Sequence, residues 1–337
     1  MKKTKKIICL GVESTAHTFG IGIIDEKGKI LSNVKDMYTS VKGGIIPTEA
    51  AKHHHEIKEK ILEKALEEAK IELKDINLIA YSHAPGLSPC LKEGTIFARD
   101  LAKKINVPLI PVNHCIAHLE IGKLVTKAKN PVFLFCSGAN TQIIGYASGK
   151  YRIFGETLDT GVGNFIDNFA RLIGVGFPGG AKIEELAKKS KNFIELPYSV
   201  KGMDVAFSGL LTNLRQKYES GKYNVEDLSY SLQETAFAML GEVSERAMAH
   251  LQKKELLLIG GVGANKRFCE MLDIMCKERN AKFYSVPLSL AGDQGAMIAW
   301  LGIIMFKSGH KISMKDLDKA DFDPLERVDD VEINWIK

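Results

Sequence analysis

The segment Val112-Asn113-His114-Cys115-Ile116-Ala117-His118 sets two imidazoles four residues apart, directly behind the apolar run Val107 to Val112. Asn113 is suited to cap a helix N-terminus, and helical residues at this spacing share one face. The segment therefore predicts a strand running into a helix that aims both histidines the same way. Far downstream, Gly292-Asp293-Gln294-Gly295 opens another helical run behind another short strand, Lys282 to Val286. Two histidines and one aspartate make a three-donor metal site with open coordination positions, the arrangement that catalytic metals use. A histidine pair alone is weak evidence; the site depends on elements that bring Asp293 to His114 and His118.

The organisation of the chain supplies them. Ile7 to Asn33 reads as strand, turn at Gly11 to Thr18, strand, hairpin at Asp25 to Gly28, strand; Val132 to Glu156 repeats this with turns at Ser137 to Thr141 and Ala147 to Lys150. Leu78 to Ser82 runs into the loop Ala84 to Pro89 and a helix, as Leu256 to Ile259 runs into Gly260-Gly261-Val262-Gly263-Ala264-Asn265 and a helix. Each half closes with a short strand and a last helix, one carrying His114 and His118, the other preceded by Asp293. The expectation is a duplicated α/β protein with an N-terminal lobe 1–127, a C-terminal lobe 128–337 and a helical insertion over about 163–251. Two such lobes facing each other would converge the three ligands on one cleft.

Glycine loops at strand ends let backbone N–H groups approach phosphate oxygens, and a helix N-terminus adds a favourable dipole. Ser137-Gly138-Ala139-Asn140-Thr141, Gly260 to Asn265 and Gly11 to Thr15 are three such loops at matched positions and together point to a nucleotide, although none has Walker or Rossmann spacing. Asn265 is expected to line the phosphate or base pocket. Met239, Leu240 and Val243 of the insertion read as core. The triple His53-His54-His55 reads as surface, since consecutive helical residues cannot converge on one ion.

Composition sets outer bounds. With 337 residues, 45% hydrophobic and 26% charged, the chain is an ordinary globular protein large enough for two cores. Gly295 to Phe306 is too short to span a bilayer. The apolar run behind the basic start Met1 to Lys6 stops at Glu13, short of a signal-peptide core. Six cysteines without CxxC spacing fit reduced thiols in a cytoplasmic protein, and the net charge of +5 permits a nucleic-acid partner without demanding one.

The duplicated topology around a nucleotide is similar to the actin and sugar-kinase superfamily. Within it, Asn113 to His118, Ser137 to Gln142, Gly155 to Asp159, Gly163-Asn164 through Asp167, Phe177-Pro178-Gly179-Gly180, Gly202 to Leu210, Ser231 to Glu234, Gly260 to Asn265 and Asp293 to Trp300 resemble the TsaD/Kae/Qri family of tRNA threonylcarbamoyltransferases. The resemblance runs nearly end to end. Gly202 to Leu211 and Val331 to Lys337 resemble its archaeal and eukaryotic branch, which acts within the KEOPS complex. It implies transfer of threonylcarbamoyl from threonylcarbamoyl-AMP to the adenosine beside the anticodon in tRNAs reading A-starting codons. It implies one metal ion, Fe(2+) ahead of Zn(2+), on the catalytic His114, His118 and Asp293. The adenylate, or ATP or AMP, is expected on Phe135, Cys136, Ser137, Gly138, Ala139, Asp167, Gly180, Glu184 and Asn265, the carboxylates reading ribose hydroxyls. The implied partners are tRNA, a small protein-kinase-like ATPase and a small dimerising subunit, with no membrane.

The chain departs from the family pattern at Phe135, where the family often has a metal-ligating Tyr; at Gly44 to Glu49, which lacks the usual His and Arg; and at Ala84, Ser88 and Ala139, which replace glycines. Three rival readings follow from the residues. A small-molecule kinase would hold Mg²⁺ mainly by oxygen and leave the histidines without a purpose. A zinc protease needs Glu directly after the first His, where Cys115 stands. An ATP-binding scaffold would keep full function without the histidines.

Overall fold

The computed structural model describes residues 6–39 and 44–336; the basic start 1–5 and the terminal Lys337 lie outside the described residues. Strands β1 (Ile8–Glu13), β2 (Thr18–Asp25) and β3 (Ile30–Met37) lead through helix α1 (Pro47–Ala69) to β4 (Leu78–Ala84), α2 (Ser88–Ile105), β5 (Leu109–Asn113) and α3 (His114–Thr126). The second half opens with β6 (Val132–Cys136), β7 (Thr141–Ala147) and β8 (Lys150–Glu156). It continues through α4 (Val162–Leu172), α5 (Gly180–Ala187), the short pair β9 (Val200–Lys201) and β10 (Asp204–Val205), α6 (Ser208–Glu219) and α7 (Val225–His250). It closes with β11 (Glu255–Ile259), α8 (Lys266–Glu278), β12 (Lys282–Ser285), α9 (Leu288–Ala291) and α10 (Gly295–Lys307).

The two five-stranded sheets have orders β3-β2-β1-β4-β5 and β12-β11-β6-β7-β8. These are the same order, since β6, β7, β8, β11 and β12 take the places of β1, β2, β3, β4 and β5. In each, two antiparallel hairpins meet a parallel half. The duplication expected from the turns is thus present strand by strand, and α4 to α7 form the insertion between β8 and β11. Met239, Leu240 and Val243 are fully buried.

By packing, one unit comprises residues 1–124, 149–151 and 293–337, and the other 125–148 and 152–292. The lobe division at 127/128 follows the repeat, whereas packing follows burial. Helix α10 rests on β1, β2 and β4 of the first unit, so Asp293 counts with the histidines. An apolar helix of this kind can approach a sheet closely only where neither side carries a Cβ. A Cβ on Gly22 would lie 2.0 Å from the Ala296 nitrogen, one on Gly295 2.1 Å from the Gly22 nitrogen, and one on Gly11 2.3 Å from the Ala299 nitrogen. In all three cases the obstacle is backbone, which cannot swing aside.

In the histidine run of α1, His53 meets Asp36 at 3.1 Å and His55 meets Glu93 at 3.1 Å, while His54 donates from Nε2 to the Ala16 carbonyl at 3.0 Å. The three rings diverge, as consecutive helical residues must. His54 is not on the surface, however: it is fully buried, with its ring 5.5 Å from that of Phe19. The helix turns its middle histidine inward, and burial lowers the His54 pKa to about 4.

Two outcomes follow. Gly22→Ala should lower stability by about 3 kcal/mol, the cost of forcing a methyl into a packed backbone contact; an unchanged urea midpoint would refute the close-packing argument. The unfolded chain protonates His54 near its ordinary value of about 6.5 and the folded chain only near 4. Its contribution is therefore fully present above pH 6.5 and is lost as pH falls toward 4, by up to about 3 kcal/mol. Urea midpoints between these pH values should fall less steeply in His54→Gln; parallel profiles would contradict the assignment.

Candidate metal centre and nucleotide loops

The first unit brings His114, His118 and Asp293 together with one donor atom from each inside 4.8 Å. Asp293 Oδ1 lies 3.4 Å from His114 Nε2 and 3.3 Å from His118 Nε2. The rings stand edge to face at 83°, as expected for neighbours one turn apart on α3. Asn113 caps that helix, its Oδ1 accepting the Ile116 N–H at 3.2 Å while its Nδ2 donates to Glu326 at 2.9 Å. The start of α10 is fixed from β3: Lys35 Nζ donates to the Asp293 carbonyl at 2.9 Å and the Ala296 N–H donates to Asn33 Oδ1 at 3.2 Å.

Behind His114 lies a fully buried carboxylate. His114 Nδ1 meets Glu13 Oε2 at 2.9 Å, and the other Glu13 oxygen accepts from the Thr15 N–H at 2.8 Å and the Thr15 hydroxyl at 2.5 Å. A histidine whose Nδ1–H is taken by a carboxylate presents the lone pair on Nε2, which is how outer partners orient metal-binding histidines. Burial opposes charge on His114, but the Glu13 and Asp293 carboxylates override it and hold its pKa well above the ordinary value. His118 is lowered by burial and so stays neutral. Burial would raise Asp293, yet both histidines hold it well below the usual carboxylate range. The field that favours a proton on His114 also favours a dication in its place. Two imidazoles and one carboxylate suit a borderline metal such as iron or zinc, so the residues present fit the metal.

Helix α3 is also anchored one turn further on. The buried Glu120 Oε1 accepts from Tyr151 Oη at 2.6 Å and Trp335 Nε1 at 3.0 Å, and Lys123 pairs with Oε2 at 2.9 Å. The C-terminal segment thus clamps the helix that carries both histidines.

In the second unit the loop after β6 closes on itself. Ser137 Oγ accepts the Asn140 N–H at 3.0 Å, while Gly138 and Ala139 are exposed. Phe135 and Cys136 are buried in the strand. The N-terminus of α4 packs on this loop, Asn164 N–H donating to the Gly138 carbonyl at 3.0 Å. Asp167, one turn along, accepts the Gly179 N–H at 2.7 Å, beside the exposed Gly180; burial pushes its carboxyl up from the ordinary value. Glu184 pairs with Lys188 at 2.9 Å and accepts the Lys266 N–H at 3.3 Å. Gly260 has φ +94°, and a Cβ there would meet the Cys136 carbonyl at 2.2 Å, so no other residue would allow adjacent β6 and β11 to end in these loops. Such loops beyond the carboxyl ends of parallel strands are where open α/β sheets bind ligands.

Asn265, expected at the nucleotide pocket, also has a structural role. Its Oδ1 caps α8 through the Phe268 N–H at 3.0 Å and its Nδ2 donates to the buried Gln233 at 2.5 Å. Its replacement therefore removes a helix cap. Sequence reading placed Glu13 and Thr15 in a glycine loop and Gln233 in a motif without foreseeing their contacts, although Glu13 ends a buried apolar strand, an expensive place for a carboxylate without a partner.

The family model for TsaD, tRNA N6-adenosine threonylcarbamoyltransferase, matches residues 29–300. A curated protein of that name from Thermococcus kodakarensis is 53% identical over 330 residues, covering 98% of this chain and all of its own length. A probable bifunctional tRNA threonylcarbamoyladenosine biosynthesis protein from Methanocaldococcus jannaschii is 51% identical over 331 residues, covering 98% of this chain and 61% of its own length. Among solved structures, HypF of T. kodakarensis has a TM-score of 0.62 at 15% identity, over 90% of this chain and 48% of its own. That likeness is one of fold, the duplicated actin/sugar-kinase-like α/β fold with its insertion in the second half.

Glu13→Gln keeps the shape but removes the charge behind His114. It should weaken metal binding about ten- to a hundredfold, measured by competition with a chromophoric chelator; an unchanged affinity would show that Glu13 does not support the ligand.

Proposed function

The chain belongs to the TsaD family of tRNA N6-adenosine threonylcarbamoyltransferases, and we propose that it carries out the reaction with His114, His118 and Asp293 as its metal-binding and catalytic residues. It is an enzyme, an acyltransferase of tRNA modification. The observation that carries the assignment of residues is the buried donor set backed by Glu13. A small-molecule kinase would have no use for that set, and the family membership favours the transferase over a kinase or a scaffold.

In this reading the donor is threonylcarbamoyl-AMP and the acceptor is N6 of the adenosine beside the anticodon in tRNAs reading A-starting codons. That amine is a poor nucleophile because its lone pair is delocalised into the purine. Its nitrogen forms the new bond to the carbamoyl carbon and gives up one proton to solvent, the bond from that carbon to the phosphate oxygen breaks, and AMP leaves with the electron pair. His114, His118 and Asp293 would hold a metal ion, iron ahead of zinc, which when bound would supply Lewis-acid polarisation of the donor and offset charge on the leaving group. The chain's own residues then act as holders. Glu13 keeps His114 in one tautomer, and Lys35 and Asn33 keep Asp293 in place. The backbone of Phe135 to Ala139 takes the phosphate, with Asp167, Gly180, Glu184 and Asn265 around the nucleoside. Phe135 and Cys136 contribute main chain, since their side chains are buried.

The partners in this reading are tRNA and the KEOPS subunits, a protein-kinase-like ATPase and a small dimerising subunit, in the cytoplasm. No helix of the described residues is long and apolar enough to cross a membrane.

Asp293→Asn should keep the fold and partner binding but cut transfer by about a hundredfold or more, since the one anionic ligand is lost. Nucleoside mass spectrometry of tRNA incubated with partners and threonylcarbamoyl-AMP measures it. Near-normal modification would return the scaffold reading.

A further inference from the structure

Eight arginines occur in the chain, and six of them have side-chain partners. Arg99 and Arg327 pair with Asp100 and Asp329, Arg246 with Glu242, Arg267 with Glu234 and Glu270, Arg279 with Glu245, and Arg152 donates to the Ala147 carbonyl. Arg171 and Arg215 form no side-chain hydrogen bond or ion pair among the described residues. These two line the same groove. It lies between α4 and α6, has a volume of about 450 Å³, and is lined by Asn168, Arg171, Leu172, Leu211 and Arg215.

The helix periodicities account for the groove. On α4, Phe165 and Phe169 turn into the core, as Leu210 and Leu214 do on α6, which leaves 168, 171 and 172 on one helix and 211 and 215 on the other facing outward across a shared seam. Two guanidiniums that line one groove repel each other, and the carboxylate acting on Arg171, Asp167 one turn back, is already committed to the Gly179 N–H. Among the described residues neither arginine has an ion-paired carboxylate, which leaves the groove suited to an anion. The half-buried Leu172 and Leu211 add apolar lining beside the guanidiniums, and Asn168 adds a neutral donor and acceptor. Planar forks over such a floor match phosphate oxygens.

We infer that the Arg171 and Arg215 groove binds a backbone phosphate of the tRNA. The inference rests on the transferase reading above, and it names the contact surface which that reading leaves open. Position favours a polynucleotide over an acidic protein segment: α4 is the helix that reaches from the Gly138 loop, through Asp167, to Arg171. An acceptor base that meets a donor held by Asp167 must bring its own backbone within a few helical turns of that residue, which is where the groove lies.

The test compares the full chain, alone and with its partner subunits, with the Arg171→Ala/Arg215→Ala variant, using a transcribed tRNA that reads an A-starting codon. Both arginines are exposed, so the melting temperature should hold. The variant should bind tRNA about tenfold or more weakly. Its slope of log affinity against log salt should be shallower by about 1.4 to 1.8, the release expected for two phosphate contacts. ATP affinity should be unchanged. Arg171→Lys/Arg215→Lys should keep most of the slope and recover part of the affinity, since lysine keeps charge but loses the fork. Equal affinity and slope in the alanine variant would overturn the inference, as would intact tRNA binding combined with loss of an acidic partner subunit. Failure of the parent chain to modify tRNA it binds would instead count against the transferase reading.

Discussion

Backbone contact between α10 and the first sheet is the constraint on which the His114, His118 and Asp293 cluster depends. Gly11 and Gly22 on the strands and Gly295 on the helix let main chain approach main chain, with a missing Cβ on both sides of the Gly22 and Gly295 contact. The residue two positions before Gly295 is Asp293, so the depth to which the helix settles sets where the carboxylate stands. A helix held off by side chains would sit farther from the sheet, and the aspartate would move with it. Glycine here places a ligand by removing what would keep it away. The cost is backbone entropy in the unfolded chain, offset by the extensive apolar burial along Ala296, Met297, Ile298, Ala299, Leu301 and Ile303.

The second constraint is electrical. Glu13, His114, His118 and Asp293 are charges and dipoles largely withdrawn from water, and such a group is tolerated only when its members satisfy one another. Glu13 does this through three contacts, with His114 and both donors of Thr15. Asp293 is satisfied by two imidazoles, and its main-chain oxygen by Lys35. The result is a rigid cluster in which each ligand's orientation is fixed by a residue that is not itself a ligand. The same principle operates at Glu120, whose carboxylate gathers Tyr151, Lys123 and Trp335.

Much of this was legible in the sequence. Turn chemistry located both three-stranded repeats, and the spacing from Asn113 to His118 located a capped helix whose two histidines come together with Asp293. Three things were not legible, each for a physical reason. Packing of α10 on the first sheet is a tertiary choice that local periodicity does not encode, so the repeat boundary near 127/128 and the packing boundaries differ. His54 looks like its neighbours in a polar run, and only the helix phase turns it inward onto Phe19. Asn265 stands at the end of a glycine loop, where pocket residue and helix cap have the same sequence signature; its contacts with Phe268 and Gln233 make it a cap whatever else it touches.

The charge of the candidate site is set within the first unit. Its three donors are two imidazoles and one carboxylate. A dication on that set would leave one positive charge uncompensated by direct ligands, and buried charge is costly unless paired. Glu13 is fully buried and in contact with His114, and it supplies the balancing negative charge one bond network away. The sum over Asp293 and Glu13 is then neutral with a dication bound, before any oxygen of a substrate or water joins. A donor set balanced in this way would match the charge of a dication.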